Sequence, residues 1–192
     1  MHRNKIGLLV FAVVAMVQLL VPAKMILDRE DILENGKEYK FRTAPMDPND
    51  PFRGKYITLD YTNNRLQAAK DTSWINNEPI YVELNIDSEG YAVACGVSRE
   101  KPKGNVAFVK AKVDYLNVSS NDLVVEYPFE RFYMDENKAE AAEDAYRETR
   151  ADSLVTAYAL VNIKDGDAVL KDVIVGGVSV RKIVAEKKGN NK

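Results

Sequence analysis

Apolar residues fill one long run near the start of the chain. Residues 6–23, 18 in all, are apolar except for Gln18. As a helix this run is roughly 27 Å long at about 1.5 Å per residue, which is near the lower limit for crossing a hydrocarbon core of about 30 Å. The basic residues before the run favour a cytoplasmic N-terminus. The pattern predicts a single transmembrane helix within residues 1–27, held in the lipid bilayer through residues 6–23.

A cleaved signal peptide is the alternative for the same segment. Val21-Pro22-Ala23 has the modest side chains that a signal peptidase inspects, so cleavage after Ala23 stays open. However, the apolar run is longer than the usual signal core of about 7–15 residues, and Pro22 sits awkwardly just before the cut. Lys24 can extend its charge to the headgroups, which lengthens the apolar segment to Leu27. The preferred prediction is an uncleaved anchor in the cell membrane, with the rest of the chain outside the cytoplasm.

From residue 38 onwards, apolar and polar residues alternate, which predicts β-strands. The predicted strands cover residues 38–42, 56–61, 80–86, 91–97, 107–115, 123–127, 155–163, 168–175 and 178–183. Turn residues at 87–90 and 164–167 predict two β-hairpins. Seven to nine short strands separated by turns are typical of an antiparallel sandwich or a partly closed barrel. The sequence therefore predicts a mainly β domain over residues 28–185, followed by a polar tail, residues 186–192.

Two segments have helical rather than strand character. Asp135 is a suitable N-cap, and residues 138–150 are rich in Ala, Glu and Arg with only a thin apolar stripe. A shorter helix is predicted over residues 65–70. One or two surface helices are therefore expected beside the sheets.

The composition excludes several kinds of site. One cysteine, Cys95, and one histidine, His2, cannot form a Cys/His zinc site or a Ser-His or Cys-His pair in the domain. The formal net charge of −2, from 27 basic and 29 acidic residues, gives no reason to expect nucleic acid. No metal or cofactor is predicted. Cys95 lies in an alternating strand and is predicted to be a buried core thiol, whereas Trp74 is either a partly exposed anchor or a lid on the core.

Residues 44–54 are the most unusual local stretch, because they include three prolines within seven residues. Such a segment forms neither a helix nor a central strand, and it predicts a rigid loop. The loop either sets the direction of the following strand or forms a contact surface. An oxygen-ligand cation site from Asp47 and Asp50 is disfavoured, because calcium takes six or more oxygen ligands.

Two ordered motifs resemble those of a known family. Gly54–Tyr61, with the sequence GKYITLDY, resembles the signature after which the GDYXXLXY family is named, and Pro45–Pro48 and Phe52–Gly54 resemble its run-up. Glu130–Met134, which leads into an acidic segment, resembles the second motif of the family. The aspartate of the family is replaced by Lys55 here. The resemblance implies a membrane-attached bacterial protein without an established activity, often encoded near multi-pass membrane proteins.

The second motif also has a physical interpretation that is independent of the family. Glu130 and Arg131 lie between Phe129 and the aromatic pair at 132–133, where a strand is predicted to meet a helix. Charges flanked by aromatic rings favour a covered ion pair, so Arg131 is expected to pair with Glu130 or Asp47 and to stack on a ring. The alternative is an arginine that binds a ligand.

The loop, the strand after it and the second motif together define a candidate functional face. Its residues are Asp47, Asp50, Arg53, Gly54, Lys55, Tyr56, Leu59, Tyr61, Glu130 and Arg131. The preferred hypothesis is a non-catalytic accessory or interaction module for an integral membrane protein. The alternatives are a hydrolase that uses carboxylates and Lys55, and a sensor that holds a small apolar ligand between its sheets.

Overall fold

The computed structural model describes residues 2–43, 56–68, 73–133 and 156–182. One long helix and eleven strands lie in these ranges. They are α1 (His2–Asn35), β1 (Lys37–Arg42), β2 (Tyr56–Thr58), β3 (Arg65–Gln67), β4 (Pro79–Ile86), β5 (Ala92–Ser98), β6 (Ala107–Asn117), β7 (Asp122–Glu126), β8 (Arg131–Tyr133), β9 (Ala157–Lys164), β10 (Asp167–Val175) and β11 (Val178–Ser179). The predicted mainly β fold with an N-terminal apolar helix is confirmed.

The strands form antiparallel sheets that share one hydrophobic core. A four-stranded sheet has the order β1-β9-β10-β11, a five-stranded sheet has the order β3-β7-β6-β4-β5, and β2 pairs with β8. The outer strands of the five-stranded sheet, β3 and β5, also contact each other, so this sheet curls into a nearly closed barrel. Arg42, the last residue of β1, joins the two sheets through ion pairs with Asp87 and Glu89 at 3.0 and 2.8 Å.

Both predicted hairpins are present, and local turn chemistry explains them. Between β4 and β5, the Asp87 carboxylate accepts two backbone N–H groups of its own turn, both at 2.9 Å. Between β9 and β10, Asp165 and Gly166 have φ angles of +51° and +86°. Positive φ at both central residues is the geometry of a two-residue type I′ turn, whose twist matches that of the strands it joins.

Two of the predicted elements are wrong. Residues 65–67 form strand β3 rather than a helix, because they pair with β7, where Leu66 lies opposite Leu123 in the core. A six-residue helix has too few hydrogen bonds to compete with that pairing. The strand predicted over residues 178–183 ends after two residues. The chain then becomes helical and buries Val180, which is 1% exposed.

The prediction that Cys95 is a buried thiol is also wrong, because Cys95 is exposed. The register of the first hairpin gives the reason. Glu83 pairs with Gly96, but the next residue, Leu84, pairs with Ala94, so Cys95 is the extra residue of a β-bulge. The bulge interrupts the alternation from which the burial was predicted.

The N-terminal helix is longer than the predicted anchor. α1 continues through Pro22 to Asn35 without a break. Its large apolar side chains from Ile6 to Leu27 are exposed to the surroundings. Residues Ile6–Asn35 are long and apolar enough to cross a membrane, as the apolar run predicted.

Several predicted segments lie outside the described residues. They are the proline-rich loop at 44–54, the helix at 138–150 and the polar tail at 186–192. The division of the chain at residues 27 and 185 stays a prediction.

Candidate functional site

The last turns of α1 pack directly onto the β domain. Ile32 is buried, with 8% of its surface exposed. The side-chain amide of Asn162 on β9 donates to the carbonyl oxygen of Leu33 at 2.8 Å, and Lys164 Nζ lies 2.6 Å from the Asp31 carboxylate. Asn162 is itself buried, so its bond ties the helix backbone to the sheet where water does not compete. Because β1 begins two residues after α1 ends, helix and domain are joined without a linker.

Two adjoining clefts open where α1 meets the domain. The first, here named the Glu130 cleft, has a volume of about 550 Å³ and is lined by Arg29, residues 126–131 and residues 168–170. The second, here named the helix cleft, has a volume of about 440 Å³ and shares Arg29, Pro128 and Ala168 with the first. The Arg29 guanidinium donates to the Ala168 carbonyl at 3.3 Å, which holds this cation between the two clefts.

Four aromatic side chains form a buried cluster behind the Glu130 cleft. Phe41, Tyr61, Tyr127 and Phe129 are each 2% exposed, and their ring centroids lie 4.9–5.9 Å apart. The Tyr61 hydroxyl donates to the Phe129 carbonyl at 2.9 Å. Burial, and to a lesser degree the charge of Glu130, raises the pKa of Tyr61 well above its usual value, so this hydroxyl stays protonated as a donor. The cluster therefore supports the turn that carries Glu130.

Glu130 is the most perturbed acid that lines the cleft. Its carboxylate accepts the backbone N–H of Tyr127 at 3.1 Å. Burial, together with the nearby carboxylates of Glu126, Asp114 and Asp60, raises the pKa of Glu130 to about 7 against the lowering effect of that hydrogen bond. Glu130 therefore exchanges its proton near neutral pH.

The fold places the two predicted motifs side by side. β2 and β8 pair through Tyr56 opposite Tyr133 and Thr58 opposite Arg131. Directly after β2, the Leu59 N–H donates to the Glu130 carbonyl at 2.6 Å. The first motif thus holds the second by backbone hydrogen bonds.

The predicted face is divided between the surface and the core. Glu130 and Arg131 line the Glu130 cleft. Leu59 and Tyr61 are 3% and 2% exposed, so their side chains pack the core. Tyr56 belongs to the backbone pairing of β2. The other members of the predicted face lie outside the described residues, and they are Asp47, Asp50, Arg53, Gly54 and Lys55. That these residues lie near Glu130 stays a prediction.

Sequence reasoning missed two cations near this face. Arg29 lies in α1 just after the apolar run, and only the packing of the helix brings it to β10. Arg181 lies with its guanidinium 5.3 Å from the ring centroid of Phe132. The available signal for Arg29 was its position as the one basic residue among the acidic residues 28–31, directly after the apolar run. The sequence contains no signal for the contact of Arg181. The predicted ion pair of Arg131 stays a prediction.

The clefts contain groups suited to recognition. Within the described ranges, no group of three or more His, Cys, Asp or Glu side chains is placed to hold a metal ion. The Glu130 cleft contains one carboxyl group that titrates near neutrality, the guanidinium groups of Arg29 and Arg131, and apolar surface from Pro128 and Leu170. These groups bind polar partners by hydrogen bonds and charge.

Comparison with known proteins identifies one family. A family model described as GDYXXLXY protein matches residues 18–173. This range includes the last third of the apolar run, both motifs and most of the β domain. No curated protein matches the chain, and no solved structure matches it.

Proposed function

Because the chain belongs to the GDYXXLXY protein family, we propose that it is a membrane-anchored protein whose β domain lies outside the cytoplasm. The domain acts there as a non-catalytic accessory or interaction module for an integral membrane protein. The anchor lies in the cell membrane with its basic N-terminus in the cytoplasm.

The observation that carries this proposal is the uncovered apolar surface of α1. From Ile6 to Leu27, the large apolar side chains are about half or more exposed, and the domain packs only on the later turns. This stretch of 22 residues is about 33 Å long at about 1.5 Å per residue, which matches a hydrocarbon core of about 30 Å. Exposed apolar surface of this extent is characteristic of a membrane or an interface.

The absence of a linker between α1 and β1 favours a role beside another membrane protein. Asn162 and Lys164 hold the end of α1 against β9. The domain is therefore kept at the membrane surface, where its reach is limited to neighbours in the same bilayer. A module of this kind suits a stable contact with an integral membrane protein.

The continuity of α1 also bears on the alternatives. The bond after Ala23 lies inside the helix, whereas peptidases bind their substrates in an extended form. This favours the anchor over a cleaved signal peptide. The hydrolase hypothesis depends on Lys55, which lies outside the described residues, and both it and the ligand sensor stay predictions.

The partner is tested by purifying the tagged full-length protein from membranes in mild detergent. We expect one integral membrane protein to co-purify reproducibly. A matched control carries residues 1–35 fused to an unrelated domain, which reveals whether the β domain is needed. If no membrane protein is recovered reproducibly with the full-length chain, the proposed function is wrong.

The topology is tested with the single cysteine. Cys95 is exposed on β5, so a membrane-impermeant maleimide is expected to label it in intact spheroplasts. The control variant, Cys95→Ser with Asn4→Cys, is expected to be labelled only after the membrane is opened. The reverse pattern contradicts the topology, and a mature protein that begins at Lys24 contradicts the anchor.

A further inference from the structure

Gln18 is a polar residue at the middle of the apolar stretch of α1. It lies about 18 Å from Ile6 and about 14 Å from Leu27 along the helix axis. Its side chain is exposed, and within the described part of the chain no side-chain hydrogen bond is found for it. An amide has two N–H donors and a carbonyl acceptor, and hydrocarbon satisfies none of them. At this depth a hydrogen bond from another protein segment would therefore stabilise Gln18.

The position of Gln18 around the helix indicates where that partner lies. At 3.6 residues per turn, Met25, Arg29 and Ile32 lie within about 40° of Gln18 around the helix axis. These three residues line the helix cleft, with the domain on the other side. One face of α1 thus runs from Gln18 in the apolar stretch to the cleft beneath the domain, and the domain overhangs this face.

We propose that the Gln18 face of α1 binds a transmembrane helix of an integral membrane partner, whose extracytoplasmic end lies in the helix cleft. This inference rests on the proposed function and specifies its contact surface. The partner helix has a side chain at mid-depth that both donates and accepts hydrogen bonds. Interhelical bonds of this kind are a recognised means of association in bilayers.

The overhanging domain argues against a second copy of this chain as the occupant. In a parallel two-fold pair through the same face, both domains would lie over the same two helices. The turn at 165–167 lines the helix cleft on this face, so two copies paired through this face would have to fit two such turns over the same pair of helices. A partner with only a short loop at this end of its helix meets no such obstacle.

The charges of the helix cleft indicate the character of that loop. Asp31 pairs with Lys164 at 2.6 Å, and Lys110 pairs with Asp167 at 2.6 Å. Arg29 is bonded to a backbone carbonyl. The lining also contains Asp165 and Asp28, and Asp28 pairs with Lys24 at 2.9 Å beside the cleft. With Lys24 counted, four acidic and four basic side chains balance, so the cleft suits a short polar loop without strong net charge.

The test is site-specific photo-crosslinking of the full-length protein in its native membrane. Benzoylphenylalanine is placed at Val14 and Met25, which lie on the Gln18 face, and at Leu20 and Leu27, which lie about 180–200° away. All four positions are exposed apolar residues of the same helix. We expect adducts with one and the same integral membrane protein from Val14 and Met25, and none from Leu20 and Leu27.

The substitution Gln18→Leu separates the role of the amide from that of the helix. Because Leu inserts readily into a bilayer, this variant keeps its anchor. In Gln18→Leu, the yield of the adduct from Val14 is expected to fall roughly 3- to 30-fold, the range that one interhelical hydrogen bond supports. In Gln18→Asn, which keeps a side-chain amide, the yield of this adduct is expected to be retained.

Three results overturn the proposal: equal adducts from both faces, an adduct of twice the mass of this chain, or no change with Gln18→Leu. The proposed function is judged separately by co-purification. If the tagged Gln18→Leu variant recovers the partner in full yield, the contact surface is wrong and the proposed function stands. If the unsubstituted protein recovers no partner and gives no adduct, both are wrong.

Discussion

Replacement of Glu130 by glutamine tests the electrostatics of the candidate site. Glutamine keeps the oxygen that accepts the Tyr127 N–H at 3.1 Å, and it removes the carboxyl group that burial and nearby carboxylates hold at a pKa of about 7. The variant therefore changes one charge with little change in shape. Because a carboxylate is costly in this environment, the substitution is expected to stabilise the protein wherever Glu130 would be ionised.

The pH window follows from the two pKa values of Glu130. The carboxyl titrates near 4.5 when unfolded and near 7 when folded, so between these values the folded state binds more protons. The free energy of unfolding then falls as pH rises through the window. A difference of about 2.5 pKa units corresponds to about 3.4 kcal/mol at about 1.36 kcal/mol per unit. Glu130 is only half-buried, and solvent screening reduces this to about 1–2 kcal/mol.

The assay is urea unfolding of the full-length protein in detergent micelles, at pH 4.5 and pH 8. Fluorescence of Trp74 reports unfolding, because this single tryptophan packs against the core as a lid, with Arg99 4.2 Å from its ring centroid. The free energy of unfolding of Glu130→Gln is expected to equal that of the unsubstituted protein at pH 4.5 and to exceed it by about 1–2 kcal/mol at pH 8. The control, Glu100→Gln at an exposed position, is expected to show no such difference. Equal stability of Glu130→Gln and the unsubstituted protein at both pH values would refute the reasoning.

Three further predictions use the same unfolding assay. Leu123→Ala, at a fully buried position, is expected to cost about 2–5 kcal/mol. Val118→Ala, at a position 82% exposed, is expected to change the free energy of unfolding by no more than about 0.5 kcal/mol. Similar losses of stability at the two positions would contradict the burial of Leu123 in the core. Gly166→Ala adds a contact with an aromatic ring to the strain of a positive φ, so it is expected to destabilise more than Gly90→Ala, where the added methyl meets open space. The reverse order would argue against the turn geometry. Tyr61→Phe leaves a buried carbonyl without its donor and is expected to cost about 1–3 kcal/mol, whereas an unchanged midpoint would show that this bond is dispensable.

Local patterns in the sequence determined most of the elements of this protein. The two hairpins were predictable because their turn residues favour the required backbone angles, as Asp165 and Gly166 do. The apolar run was predictable because its composition alone distinguishes it from the alternating strands. The GDYXXLXY motifs could be recognised from the sequence because each is a short stretch of consecutive residues.

The tertiary structure alone decided which residues meet. Residues 65–67 form a strand because they pair with β7. Cys95 is exposed because a β-bulge shifts the register between the two strands of its hairpin. Arg29 reached the clefts because α1 continues beyond the apolar run and packs on the sheet. The pKa of Glu130 depends on burial and on carboxylates from other parts of the chain. Each of these features depends on contacts between residues distant in sequence, which periodicity and turn propensity do not encode.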